Sequence, residues 1–182
     1  MNQVTINKEA RLSKHLASPS EAALSHLNEL NGLRLTPHFT LGELCKTNYE
    51  TKDGNIPSHV HIENLKRLCT WLEQLREEWN LRYGEGNDPL LINSGYRSPE
   101  VNRLAGGCNT SNHLTGCAAD IRVSGLEQAV RYATILLDLS DLRHEDFDEL
   151  LIERSLRGNY WLHFAVRPPK EGNRRKTMFI SC

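Results

Sequence analysis

No stretch of this sequence stays apolar for the roughly 20 residues that a membrane-spanning helix needs. The first residues, Met1 to Glu9, are polar and carry no apolar signal segment. Charge of one sign is lacking too: the formal net charge is −1, so neither nucleic acid nor a membrane surface is a natural partner. The five cysteines, Cys45, Cys69, Cys108, Cys117 and Cys182, are odd in number, irregularly spaced and without a CxxC pair. That argues against a cysteine zinc site and a disulfide framework, and free thiols suit a reducing compartment. Gly106-Gly107 is followed by no Lys-Ser/Thr, so the chain has no phosphate cradle there. With 182 residues the chain is long enough for one domain with a substantial core.

What is present is a concentrated stretch from Ser111 to Asp120, followed by Ile121-Arg122-Val123. His113 and Asp120 are separated by Gly116 and followed or flanked by the small Ala118 and Ala119. This spacing suits a loop carrying His113, a turn at Gly116 and a strand that holds Asp120. A second stretch, Tyr160 to Val166, alternates and is rich in aromatics, so it reads as a strand with His163 at its centre. His163 alone could be a hydrogen-bonded core residue, and His113 and Asp120 alone could be unrelated. Together they make two imidazoles and one carboxylate, the composition of a catalytic zinc site with a fourth position for water.

Three motifs occur in order: Ser94-Gly95-Tyr96-Arg97-Ser98, Ser111-x-His113-x-x-Gly116-x-Ala118-x-Asp120, and Trp161-x-His163. In this the sequence resembles the zinc D-alanyl-D-alanine carboxypeptidases and their cell-wall endopeptidase relatives, over roughly Thr36 to Arg175. The resemblance implies the hedgehog/DD-peptidase fold, zinc held by His113, Asp120 and His163, and a peptidoglycan stem peptide as substrate. It also implies that Arg97 and Ser111 contact substrate beside the metal. Two positions depart from the family. Asn112 stands where Gln is more frequent, and Tyr160 stands where well-known members carry an acid three residues before the last His. Related subgroups carry an acid at the position of Glu153, which makes Glu153 the expected proton carrier, ahead of Glu149, Asp148 and Asp146.

The remaining pattern predicts an α+β domain, a small antiparallel sheet with helices packed mainly on one face. Residues 1–35 are expected to be a partly helical accessory segment with solvated His15 and His26, and residues 36–182 the zinc peptidase-like domain. Thr40 should cap a short helix, with Glu43 as its capping-box partner. Ile62, Leu65, Leu68, Leu72, Leu75 and Trp79 recur at helical spacing and predict the main core helix over His59 to Trp79. His59 and His61 near its start diverge on a helix and read as surface residues. Leu90 to Asn93 should be a strand, and Ser98-Pro99 the start of a helix. That places Arg97 at a junction, where its fork suits a substrate carboxylate or oxyanion, or alternatively a core acid.

Ser124 and Glu127 should open a helix running to about Asp138 with Ala129, Val130, Ala133, Leu136 and Leu137 inward. An acidic loop should cover Ser140 to Asp146. Phe147–Glu153 and Tyr160–Val166 should form a hairpin around Gly158-Asn159, with Thr177 to Ile180 as an edge strand. Arg174-Arg175-Lys176 reads as a solvated basic face, and Cys117 as packing.

The expected activity is a zinc metallopeptidase, carboxypeptidase or endopeptidase, acting as a monomer on peptidoglycan peptides without nucleic-acid or membrane partners. A non-catalytic zinc module of the same fold is the alternative, and a metal-free helical interaction protein a third. The chain should be cytoplasmic as synthesised. It would reach the wall through phage release or another export route, or else act on precursor or recycled peptides.

Overall fold

The computed structural model describes residues 29–51 and 54–181. Most of the expected accessory segment, His15 and His26 included, lies outside the described residues. Residues 29–32 are helical, Leu30 packs against the main core and Leu35 is buried in it.

The elements follow as α1 (Leu41–Leu44), α2 (His59–Arg82), β1 (Ile92–Ser94), α3 (Pro99–Leu104), β2 (Ala118–Arg122), α4 (Leu126–Arg143), β3 (Glu149–Arg154), β4 (Tyr160–Ala165) and β5 (Lys176–Ser181). The five strands make one sheet in the order β1-β2-β4-β3-β5. The mixed α+β class is as expected, but the sheet is not wholly antiparallel. β3 and β5 run parallel, with Glu149 opposite Lys176. The reason lies in the link after β4. It leaves at Ala165, turns through Pro169–Glu171 and is closed by the Asn173 amide, which binds both main-chain groups of Arg167. The chain therefore steps across β3 at the same end of the sheet, and a strand antiparallel to β4 is then parallel to β3.

Alternation along the strands gives the sheet two unlike faces. Leu162 and Phe164 of β4, Ala119 and Ile121 of β2, and Leu150 of β3 are fully or nearly fully buried on one face, beneath α2 and α4. Trp71 of α2 and Phe147 both pack on Phe164. The helix α2 runs one turn beyond Trp79. Its Leu65, Leu68, Leu72 and Leu75 are wholly buried, each worth roughly 1.5–3 kcal/mol. Ser58 caps it, and the His61 ring returns a bond to the Ser58 main chain in the place usually taken by a glutamate.

Thr40 and Ser98 cap their helices as expected, with Pro99 in the first turn of α3. The start of α4 differs. Gly125 occupies the cap position without a side-chain bond, and Gln128, not Glu127, reaches back to the Ser124 N–H at 2.6 Å. The helix continues to Arg143, so the expected loop from Ser140 begins later. Val130 is exposed, whereas Tyr132, Ile135 and Leu139 join Ala129, Ala133 and Leu136 inside. The inward stripe is rotated because α4 lies across both α2 and the β3–β4 hairpin.

The second face carries Asp120 and Leu151, both opposite His163, and Glu153 opposite Trp161, with Glu149 on the same side of β3 by alternation. Two glycines bring the flanking loops onto it. A side chain at Gly95 would meet the Leu44 carbonyl oxygen at 2.3 Å, so only glycine allows β1 to pass α1 this closely. Gly116 has φ +71, a left-handed conformation, and a side chain there would meet the His61 carbonyl oxygen at 2.7 Å.

Candidate metal centre

His113 comes from a 3-10 turn, Asn112–Thr115, whose N-cap Ser111 accepts the His113 N–H at 3.3 Å. Asp120 comes from β2 and His163 from β4, directly opposite each other in the sheet. All three are buried, and one donor atom from each lies within 4.8 Å of the others. Asp120 Oδ1 is 3.2 Å from His113 Nε2 and 2.9 Å from His163 Nδ1. Donor atoms about 2 Å from a tetrahedral zinc stand roughly 3.3 Å apart, so this set fits zinc.

Each of the three is held from behind. His113 Nδ1 is 2.6 Å from the Gly95 carbonyl oxygen, to which it donates, leaving Nε2 toward Asp120. Asp120 Oδ2 accepts from an Arg97 Nη, and Arg97 Nε donates to Ser94 Oγ at 2.8 Å. His163 Nε2 faces Glu149 Oε2 at 3.5 Å.

Burial alone would raise the Asp120 carboxyl, but His113 and His163 outweigh it and hold it well below its usual range. Burial dominates at His113 and keeps it below its ordinary value, against the pull of Asp120. At His163 burial also opposes charge. Hydrogen bonding to Asp120 and Glu149 wins and lifts it to about 9.

These residues line a cavity of about 830 Å³. Glu153 is in its wall, on the face of His163 as the proton-carrier role requires, with Trp161 as its cross-strand neighbour. Burial pushes the Glu153 carboxyl up, against the lowering influence of His163. Tyr160, by contrast, alternates to the other face and its ring packs toward Phe179. Arg97 and Ser111 also line the cavity. The ion pair of Arg97 with a buried acid is present as well, and the acid is Asp120. Cys108 and the Gly106-Gly107 pair form part of the rim, tied down by Asn102, whose amide donates to the Cys108 carbonyl at 2.9 Å.

Residues 37–163 match the family described as peptidase M15. The chain belongs to that family. Its match to the zinc D-Ala-D-Ala carboxypeptidase of Streptomyces albus G is 29% identical over 101 residues, covering 55% of this chain and 37% of the relative. Membership agrees with the expected enzyme class, the chain spans little more than a third of the relative's length, and the donor set fits zinc.

Within this M15 chain, one wall of the cavity escaped the sequence. Arg174 and Lys176 are not a free solvated face. Arg174 Nη2 lies 2.7 Å from Asp148 and 3.0 Å from Glu149, and Lys176 Nζ lies 3.2 Å from Glu149. Only Arg175 turns outward, to Asp141 and Asp146. Arg167, to which no role was given, donates to Asn112 Oδ1 at 3.0 Å and pairs with Asp148 at 3.1 Å. Asn112 binds Asp148 and Glu149 through its amide nitrogen, at 2.7 and 3.0 Å. Arg174 precedes β5, and Arg175 between it and Lys176 has φ 48, so strand alternation offered no signal for this wall. Asp148 is fully buried, and Asp146 faces Arg175 away from the centre, so neither competes with Glu153.

His59 is exposed, and His61 is spent on the α2 cap and on stacking against Tyr96 at 5.0 Å. Cys117 is buried packing as expected, and the four described cysteines are unpaired. Among the described residues, no helix is long and apolar enough to cross a membrane.

Proposed function

We propose that this chain is a zinc peptidase that hydrolyses a peptide bond in peptidoglycan stem peptides. The observation that carries the reading is the convergence of His113, Asp120 and His163 with Glu153 on the same sheet face, inside one cavity. The similarity to a zinc D-Ala-D-Ala carboxypeptidase supports the substrate class.

His113 Nε2, Asp120 Oδ1 and His163 Nδ1 are the donors. Zinc, when bound, supplies Lewis acidity to the scissile carbonyl and lowers the pKa of the attacking water to about 7. Glu153 takes the proton of that water and delivers it to the leaving amine. Its partly buried position suits both halves of the task, because a carboxylate with a raised proton affinity accepts more readily. Arg97 fixes Asp120 through one Nη and lies in the cavity wall, where its fork orients the substrate. The Ser111 hydroxyl already accepts from the His113 N–H, which leaves its own proton for a substrate oxygen.

The alternative of a non-catalytic zinc module drew on Tyr160, which lacks an acid. Glu153 answers that deficit from the adjacent strand. The deciding experiment incubates the zinc-loaded protein with purified sacculi and with stem peptides, with and without chelator, and identifies the products. Chelator-sensitive release of a defined peptide or of D-alanine is expected. A zinc-loaded protein that cleaves none of these substrates would establish the binding-module reading instead.

A further inference from the structure

Glu149 has more engagements than a proton carrier can have. Its Oε2 accepts from the Asn112 amide at 3.0 Å and faces His163 Nε2 at 3.5 Å. Its Oε1 is shared by Lys176 at 3.2 Å and Arg174 at 3.0 Å. The side chain is only 15% exposed. Three of these four partners hold the carboxylate, and the fourth is the ring of a candidate metal donor.

An imidazole can give only one nitrogen to a metal, and the bond made by the other nitrogen selects which. On His163 the nitrogen toward Asp120 is Nδ1, so Nε2 must carry the proton and needs an acceptor. Glu149 is the acceptor that faces it. On His113 the same duty falls to the Gly95 carbonyl. The two rings are thus oriented by different means, one by a neutral main-chain oxygen and the other by a charged side chain.

Resting on the zinc reading above, we propose that Glu149 is the positioning residue for His163. It accepts from the Nε2–H, so that Nδ1 is turned toward the metal site, and is itself fixed by Asn112, Arg174 and Lys176. This gives the basic wall of the cavity a purpose. Without those three groups Glu149 would be free to rotate off the ring, and a carboxylate so close to Asp120 would lack counter-charge. A carboxylate behind a ligand imidazole also strengthens it as a donor. The competing account makes Glu149 a plain ion-pair partner of Lys176 and Arg174, indifferent to His163.

The test uses the full chain, wild type and variants, loaded with zinc and then titrated against a chelator of known affinity. Glu149→Ala is expected to weaken zinc binding about 10–100-fold. Glu149→Gln keeps an acceptor oxygen without the charge, so it should recover part of that loss, and it serves if the alanine variant does not fold. In parallel, nitrogen-15 NMR of the zinc-loaded wild type should show a slowly exchanging His163 Nε2–H. That signal should vanish in Glu149→Ala and persist, shifted, in Glu149→Gln. A Glu149→Ala protein with wild-type zinc affinity and an unchanged His163 signal overturns the inference while leaving the metal centre standing. So does a His163 ring bound to zinc through Nε2. A wild type that takes up no zinc overturns the metal reading and this inference with it.

Discussion

Glu149 and Glu153 belong to one strand, face one cavity and flank one histidine, yet they keep different company. At the start of the strand, Glu149 lies among Lys176, Arg174 and Asn112, and hydrogen bonding to His163 and Lys176 drives its carboxyl far below the usual range, although burial opposes this. At the hairpin end, Glu153 has Trp161 beside it, and burial pushes its carboxyl up. The same residue type is favoured as an anion at one end and has its proton affinity raised at the other. Environment sets the two apart, because strand, facing direction and chemistry are shared.

The most severe break removes the centre that both ends serve. His163→Ala should take the protein from about one zinc per chain to none in elemental analysis, and abolish hydrolysis. His61→Ala should keep its zinc, and a loss there would mean that the donor set is misassigned.

Next comes the hairpin end. Glu153→Gln should retain zinc and fold but lose about 10²–10⁴-fold in turnover on whichever stem peptide the wild type cleaves. Burial raises the folded-state proton affinity of Glu153, so the acid limb of wild-type activity should lie above the ordinary glutamate range and vanish in Glu153→Gln. If Glu149→Gln loses turnover and Glu153→Gln does not, the two assignments must be exchanged.

At the basic end the expected effect is on stability. Asp148 is fully buried between Arg167, Arg174 and Asn112. Asp148→Asn strips two guanidinium groups of their buried partner and should cost about 3 kcal/mol in urea unfolding. Burial would raise this carboxyl, but the bonds to Arg174 and Asn112 outweigh it and lower it. Its contribution is therefore complete above the usual aspartate range and fades as pH falls through and below that range. Wild type should lose its advantage over the variant on acidification. An equal gap between the two at neutral pH and at pH about 3 would contradict the pairing.

Arg175→Ala should do least. Its ion pairs with Asp141 and Asp146 are exposed and screened by water, so stability should barely change and zinc affinity should not move. A clear drop in zinc affinity would show that Arg175, not its neighbours, serves the cavity.

The chain disclosed these features unevenly. His113, Asp120 and His163 were readable because metal donors are few and their spacing to Gly116 and Trp161 is distinctive. The helix over His59 was readable because a 3.6-residue period survives in any context. That Glu153 reaches the cavity depended on the hairpin register, which a one-residue slip would have reversed. The basic wall was hidden for a different reason. Arg174 and Lys176 look like any charged surface until β5 is known to lie beside β3, and nothing within residues 174–181 announces a parallel neighbour. Val130 was misread as inward because α4 answers to two packing partners at once.

The bond from His113 to the Gly95 carbonyl also has a bearing on time. Gly95 sits where β1 leaves α1, and the next residue, Tyr96, donates its N–H to the Leu44 carbonyl at 2.7 Å. Arg97 then donates its own N–H to the His113 carbonyl at 3.0 Å. His163 meets Asp120 across 43 residues of chain. No short fragment of the nascent chain contains all these parts, and closing such long loops is slow relative to forming a helix. The three donors therefore come together only once β2 and β4 have paired. Zinc held by them would stabilise the closed sheet and not a fragment of it, because a ligand that favours the native chain shifts the balance toward it.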